Sequence, residues 1–331
     1  MTLLSYKFYY LSMKNIVVLD GITMGDDIDF TSLEKLGQVT IHRMTEEEQI
    51  IDRCIDAQII ITNKVFIREY HFRSLPQLEL ICLTATGYNN IDIESARKHH
   101  VSIANVSGYS TNAVAQHTFA MLFYLWERSR YFDDYTRSGD YCNSEIFTHL
   151  SRKFYELSGK TWGIVGLGAI GKKVAQIAKA FGCNIIYYST SGKNSNQEYT
   201  KVDLKTLLHN SDVISIHSPL NDRTKDLFTL RELQQMKSTS YIINVGRGGI
   251  INEEDLVEAL NLNLIAAACI DVLTTEPMAI SSPYRNIINK DKLYITPHVA
   301  WAPIETRQRV IEEVTLNIQA FLSNEKRNIV N

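Results

Sequence analysis

One run of glycines constrains this chain more than any other stretch. Gly166-Leu167-Gly168-Ala169-Ile170-Gly171 follows directly on the apolar run TWGIV and opens the helical pattern KKVAQIAKAFG. A strand, a tight turn and a helix are therefore expected in succession. In such a unit the first glycine makes the turn, the second lets the backbone approach a pyrophosphate, and the third permits close packing of helix on strand. The helix N-terminus then offers N–H groups and a partial positive charge to the phosphates. A bare GxGxxG is weak evidence, because glycine-rich turns also arise for steric reasons; strand before and helix after make it a dinucleotide fingerprint. Gly166, Gly168, Ala169, Ile170 and Gly171 are the candidate cofactor contacts.

The fingerprint sits in the second of two alternating series. From Lys14 to Asn105 the candidate strands are IVVLD, VTIHR, AQIIIT, LELICL and VSIAN, separated by polar, helix-period stretches. From Trp162 onward come GIVGLG, NIIYY, DVISIH, YIINV, LIAAACI and LYITP. Strands alternating with helices imply parallel sheets covered on both faces, so the fold class is α/β with two units in tandem. A chain of 331 residues also exceeds the size at which one hydrophobic core stops growing. Between the series, Ser110 to Glu127 reads as a helix with Ser110 as N-cap and Ala115, Phe119, Leu122 and Leu125 on one face. Residues 128 to 158 are aromatic, charged and irregular in period, as expected of a segment that packs against something, a subunit partner being one candidate. From Ala302 the chain reads as one long amphipathic helix, ETRQRVIEEVTLNIQAFL, ending in the polar SNEKRNIVN.

Composition narrows the classes further. Hydrophobic residues at 45% and charged residues at 21% are ordinary for a globular protein and far from the disordered corner. The formal charge of -3 gives no strong overall field for a polyanion, and the basic residues are scattered along the sequence, so nucleic acid is not an expected partner. Five cysteines, Cys54, Cys82, Cys142, Cys183 and Cys269, show no CxxC spacing and read as small core hydrophobes in a reducing, cytoplasmic compartment, with no metal site. No apolar run reaches the ~18 to 20 residues that cross a bilayer. The opening MTLLSYKFYYLS lacks a basic n-region and a cleavage site, which makes it a poor signal peptide, and residues 1 to 12 could be an extension upstream of the strand-like MKNIVVLD.

The candidate chemistry lies at strand ends. NIIYY ends at Ser189, eighteen residues past Gly171, where an NAD-selective site places Asp or Glu on the ribose 2′-OH. The stretch Ser189-Thr190-Ser191-Gly192-Lys193 offers hydroxyls and a cation instead. Lys193 could pair with a 2′-phosphate, or be a solvated loop lysine beside a ribose held by backbone and serine alone. Arg247, in Asn244-Val245-Gly246-Arg247-Gly248-Gly249, follows the strand YII, where open α/β sheets place their ligands, and a guanidinium there can grip a carboxylate through two hydrogen bonds. An isolated arginine in a glycine turn is more often a surface residue. Its neighbours raise its standing, because Glu276 in DVLTTEP and His298 in TPH also follow apolar strands. Reducing a keto acid needs a cation for its carboxylate, a hydride, and a proton for the developing alkoxide. His298 can give the proton, with Glu276 favouring the imidazolium.

With these residues in order, the sequence resembles the D-isomer-specific 2-hydroxyacid dehydrogenases from about Met13 to about Leu322, through GLGAIG, HSPLNDRT, NVGRGG, DVLTTEP and TPH. NVSGYSTNAVAQHTFAMLF and TPHVAWAP are similar to the hydroxypyruvate reductase, or glycerate dehydrogenase, branch. The resemblance implies two doubly wound parallel-sheet domains, a Rossmann dinucleotide-binding domain over 105–301 inserted into a flavodoxin-like substrate domain made of 1–104 and 302–331. The crossings near Asn105 and Ala300 would be hinges. It implies that Arg247 binds the substrate carboxylate and polarises the keto group, Glu276 tunes the histidine, and His298 is the acid/base. Asp271 would hold the nicotinamide carboxamide, and His217, Pro219, Thr224, Val245 and Gly246, with Ser189, would line NAD or NADP. Thr86, Gly87 and Tyr88 would present N–H groups to the substrate carboxylate, and the aromatic segment would form a homodimer interface. Departures from the common family pattern are Ser107, Gln116, Ser189 and Val245-Gly246, of which Ser189 bears on cofactor choice. Other keto acids, such as glyoxylate, phosphonate-like or branched ones, would need the same trio. A corepressor-like relative that senses NAD(H), or an inactive dinucleotide binder, would share the fold.

Overall fold

The computed structural model describes residues 13–331, so the possible upstream extension lies outside the described residues. The chain divides into two compact units, one reaching to Ser110 and resuming at Ala302–Asn331, the other spanning Thr111–Trp301.

The first unit is built on five parallel strands, β1 (Lys14–Val18), β2 (Gly37–Ile41), β3 (Ile59–Thr62), β4 (Leu80–Leu83) and β5 (Ser102–Ala104), in the order β2-β1-β3-β4-β5. This is the flavodoxin-like order. β3 and β4 are buried along their whole length, as their unbroken apolar runs require of central parallel strands. The long helix Ile304–Leu322 packs on this unit and buries Val310, Ile311, Val314 and Ile318, an i, i+1, i+4, i+8 stripe. Beyond it the chain end runs back beside β5, where Val330 N donates to Ile103 O at 2.9 Å and Asn317 Nδ2 to Asn105 O at 3.0 Å.

The second unit carries seven parallel strands: β6 (Thr161–Val165), β7 (Asn184–Tyr188), β8 (Thr200–Lys201), β9 (Val213–Ile216), β10 (Tyr241–Asn244), β11 (Ala267–Ile270) and β12 (Leu293–Ile295). Their order is β12-β11-β10-β9-β6-β7-β8, a Rossmann sheet whose direction of winding reverses between β6 and β9. One face is covered by the cluster containing Phe119, Trp162 and Tyr187, the other by Leu207, Ile214 and Ile242. The eleven strands expected from the sequence all form. β8 was not anticipated, because two exposed polar residues carry no periodicity.

The helix Thr111–Trp126 buries Ala115, Phe119, Leu122 and Leu125 as its spacing predicts. After it the irregular segment forms a helix, Ser129–Arg137, a 3-10 turn, Asp140–Asn143, and coil, with Phe147 90% and Leu150 75% exposed. One expectation fails here. Cys142 lies exposed in that turn, while burial pushes the Cys54 thiol up to about 12 and that of Cys183 up to about 11, and Cys82 and Cys269 higher still. Among the described residues no helix is long and apolar enough to cross a membrane, and no group of three or more His, Cys, Asp or Glu could hold a metal ion.

Candidate active site

The fingerprint turn lies at the C-terminal end of β6. Gly166 has φ +92°, a left-handed backbone that favours glycine, and a side chain on it would overlap Ser218. Gly171 sits against the Gly166 carbonyl so closely that a Cβ would overlap it, which lets the helix Ala169–Ala180 press onto the sheet. Around Gly168 there is open space. No side chain caps this helix, so its first N–H groups face that space.

Beside the turn a cavity of about 530 Å³ opens beyond the ends of β6, β7 and β9, and Gly166, Gly168, Thr190, Ser191, His217 and Pro219 belong to its wall. Three of the residues read from the sequence lie outside this wall. Ser189 is 5% exposed and points into the protein, its Oγ without a hydrogen-bond partner among the described residues, while the next residues, Thr190 and Ser191, reach the cavity. Lys193 is exposed and outside the lining; the cation there is Arg223, accompanied by Asp222, both from the loop after β9. Thr224 is fully buried and braces that loop, its Oγ1 donating to Pro219 O at 2.7 Å. His217 Nε2 lies 2.9 Å from Ser215 Oγ, and burial pulls its imidazole down to about 3, so it is neutral at physiological pH. Val245 is buried and Gly246 N donates to Asn244 Oδ1 at 3.0 Å.

The other half of the same sheet edge carries Arg247, Glu276 and His298, which follow the adjacent strands β10, β11 and β12. The Arg247 turn is braced by Asn244 Nδ2, which donates to Arg247 O at 2.9 Å, and the guanidinium is exposed. Gly248 meets the Leu273 carbonyl so closely that no side chain fits, which ties the arginine turn to the glutamate loop. Glu276 uses both oxygens: Oε1 accepts from Leu273 N at 2.9 Å, and Oε2 lies 2.7 Å from His298 Nδ1.

His298 itself has φ +54°, rare for a residue with a Cβ, and Asp271 holds it there. The Asp271 carbonyl accepts from His298 N at 2.9 Å, while its carboxylate accepts from Val299 N at 2.8 Å, Ala300 N at 3.0 Å and Thr296 Oγ1 at 2.6 Å. His117, from the helix Thr111–Trp126, closes the group, its Nε2 3.1 Å from Thr296 Oγ1 and 3.5 Å from Asp271 Oδ1. Burial pushes the Asp271 carboxyl up, but the hydrogen bonds from His117, Thr296, Ala300 and Val299 outweigh it and hold it below its ordinary value. With 1% exposure and both oxygens engaged, Asp271 anchors the histidine loop. His117 was missed from sequence; its only signal was a polar break, Gln116-His117-Thr118, in an apolar helix.

In the first unit, Thr86, Gly87 and Tyr88 follow β4. Thr86 Oγ1 donates to Val106 O at 2.9 Å and Thr86 O accepts from Asn105 Nδ2 at 2.7 Å, which pins the start of the turn.

A Rossmann sheet with an open fingerprint and a histidine–carboxylate pair at its carboxyl edge defines a nicotinamide-dependent oxidoreductase. Residues 119–300 match the family described as D-isomer specific 2-hydroxyacid dehydrogenase, NAD binding domain. The chain is 34% identical over 324 residues to the hydroxypyruvate reductase of Blautia hydrogenotrophica, covering 96% of this chain and 99% of that protein. It is 33% identical over 286 residues to the glycerate dehydrogenase of Methylorubrum extorquens, covering 86% and 88%. Among solved structures, the TT0316 protein of Thermus thermophilus superimposes with a TM-score of 0.84 at 26% identity, covering 96% of this chain and all of that one. The chain belongs to the D-isomer-specific 2-hydroxyacid dehydrogenases and is an NAD(P)-dependent enzyme of that family.

Proposed function

We propose that this enzyme reduces hydroxypyruvate to D-glycerate, with glyoxylate to glycolate as its second substrate pair. The observation that carries the reading is the 2.7 Å contact of His298 Nδ1 with Glu276, two strands from Arg247 at the same sheet edge. A bound nicotinamide supplies the hydride to the keto carbon. Arg247 grips the substrate carboxylate and polarises the keto oxygen through charge-assisted hydrogen bonds. With Nδ1–H donated to Glu276, His298 keeps its Nε2 for the proton that the developing alkoxide takes; oxidation returns that proton to the same nitrogen. The open space at Gly168 and the uncapped helix fit the cofactor pyrophosphate, and Thr190, Ser191 and Arg223 fit its ribose end. Val245 and Gly246 border the nicotinamide end.

The test is a panel of hydroxypyruvate, glyoxylate, pyruvate and a branched keto acid, each with NADH and NADPH. Hydroxypyruvate should give the highest kcat/KM. Cofactor binding with no turnover on any of the four overturns the proposal. We further infer a homodimer held by the segment 131–157, whose Ile146, Phe147 and Leu150 stand exposed, since an isologous contact covers such a surface most simply. A monomer mass at every concentration in light scattering contradicts it. The four buried thiols fit a reducing, cytoplasmic setting.

A further inference from the structure

On the helix Thr111–Trp126, His117 shares a face with Ala113, Val114 and Met121, all of them buried. An imidazole placed there loses hydration that an aliphatic side chain would not miss, so its partners decide why it is tolerated. They lie outside the helix. Nε2 reaches Thr296 Oγ1 at 3.1 Å and Asp271 Oδ1 at 3.5 Å. Both belong to the loops around the acid/base: Thr296 stands just after β12 and shortly before His298, and Asp271 directly follows β11.

The neighbours fix where the hydrogen sits. Thr296 has one hydroxyl hydrogen and gives it to Asp271 Oδ1 at 2.6 Å, so toward His117 its oxygen accepts. The contact of the same hydroxyl with Met121 Sδ, at 3.9 Å, is far longer and does not compete. Nε2 therefore carries a hydrogen whether the ring is neutral or charged, and aims it at a hydroxyl oxygen and a carboxylate oxygen together. Asp271 is buried, and among the described residues no lysine or arginine pairs with it. Burial raises its carboxyl, and the hydrogen bond from His117 leads those that bring it back below its ordinary value. The other donors to that carboxylate, Thr296 Oγ1, Val299 N and Ala300 N, all lie in the segment that contains His298. His117 comes from a different element, so it ties the carboxylate, and with it the segment, to a packed helix. A residue with a Cβ at φ +54° persists only where its surroundings over-determine it, and His117 is part of that over-determination.

We propose that His117 is a positioning residue for the reduction: by donating from Nε2 to Thr296 and Asp271 it fixes the segment 296–300 to the helix Thr111–Trp126, and so holds His298 in the conformation from which it delivers its proton. The inference rests on the reading of His298 as the acid/base. His117 acts through other residues, so its loss belongs in kcat and not in binding.

The test uses the full chain and the keto acid that the wild type reduces best. His117→Phe keeps a ring and loses the donor; kcat should fall about tenfold, the cost of a small misplacement of a reacting group, with KM and the Kd of NADH within about twofold. His117→Gln, whose amide nitrogen lies the same number of bonds from Cβ as Nε2, should recover kcat to within about threefold of the wild type, whereas the shorter His117→Asn should not. In a His298→Ala background, His117→Phe should change the residual kcat by less than about twofold, because nothing is left to be placed. An equal loss in both backgrounds, a Phe variant as active as the wild type, or equal activity of the Gln and Asn variants overturns the role. If the Phe variant fails to fold, the Gln and Asn variants decide, their folding checked by Tm and NADH fluorescence titration. No wild-type turnover on any keto acid overturns the reductase reading and this inference with it; an active wild type indifferent to His117 overturns the inference alone.

Discussion

Around His298 the loop is finished by the protein itself. Asp271 engages its carbonyl and both carboxylate oxygens, Glu276 uses both of its own, and His117 closes the group from a helix. Across the same sheet edge, around the cavity by the fingerprint, the polar groups are left over. His217 Nδ1 has no hydrogen-bond partner and Arg223 makes no ion pair among the described residues. The difference teaches where each half takes its order from. An acid/base group must be oriented before substrate arrives, so its supports are internal, whereas the nucleotide half is completed by the ligand it binds.

The harshest way to break the comparison is at the acid/base. His298→Ala should lower kcat for reduction about 10³-fold, within the range that general acid–base catalysis contributes, with NADH affinity within about twofold. Kinetics and NADH fluorescence titration check it, and a still-active variant removes the histidine. Arg247→Ala should cost about 10²-fold or more in kcat/KM, the loss of a bidentate charge-assisted contact. Near-normal kcat/KM on every keto acid would end that role.

Asp271→Asn sharpens the comparison, because the two readings of this residue diverge. As an anchor, its loss should lower kcat about thirtyfold by misplacing His298 while leaving the Kd of NADH unchanged; a carboxamide contact would weaken NADH first. Asp271 also titrates in a defined direction. Its carboxyl is held below the ordinary 3.8, so its stabilisation is fully present above that pH and is lost as pH falls through the lower folded value. The Tm of the wild type should therefore drop more steeply below pH 4 than that of the Asn variant. The smallest effect is expected on the nucleotide side. NADH and NADPH should differ less than tenfold in kcat/KM on one keto acid, and Arg223→Ala should shift the ratio about tenfold toward NADH. A wild-type preference for NADH of about 10³-fold contradicts this.

Both sheets were legible because alternation between apolar strands and polar helices is written over four to six residues at a time. The fingerprint and the trio were legible for a related reason: each lies within one to six residues of the end of a recognisable strand. What escaped depends on facing and on long-range contact. Ser189 is one residue past β7, and a single step along a strand reverses the side on which a residue lies, so sequence could not separate it from Thr190. His117 acts through Thr296, 179 residues away, with only a polar break in an apolar helix to mark it. Arg223 is one charged residue in a polar loop, distinguishable only once β7 and the loop after β9 are seen beside the same cavity.

The first unit is interrupted by the second, and this sets an order of assembly. During synthesis β1 to β5 emerge early, but the helix Ile304–Leu322 that covers them is made last. Joining them through an unstructured Thr111–Trp301 would cost about 5 kcal/mol in loop-closure entropy. The second unit removes that cost when it folds, since Val114, Ala115 and Ala300, close to its two ends, belong to one hydrophobic cluster. The nucleotide-binding unit thus acts as a clasp: the sheet begun first is completed only after the unit begun second has drawn the two chain segments together.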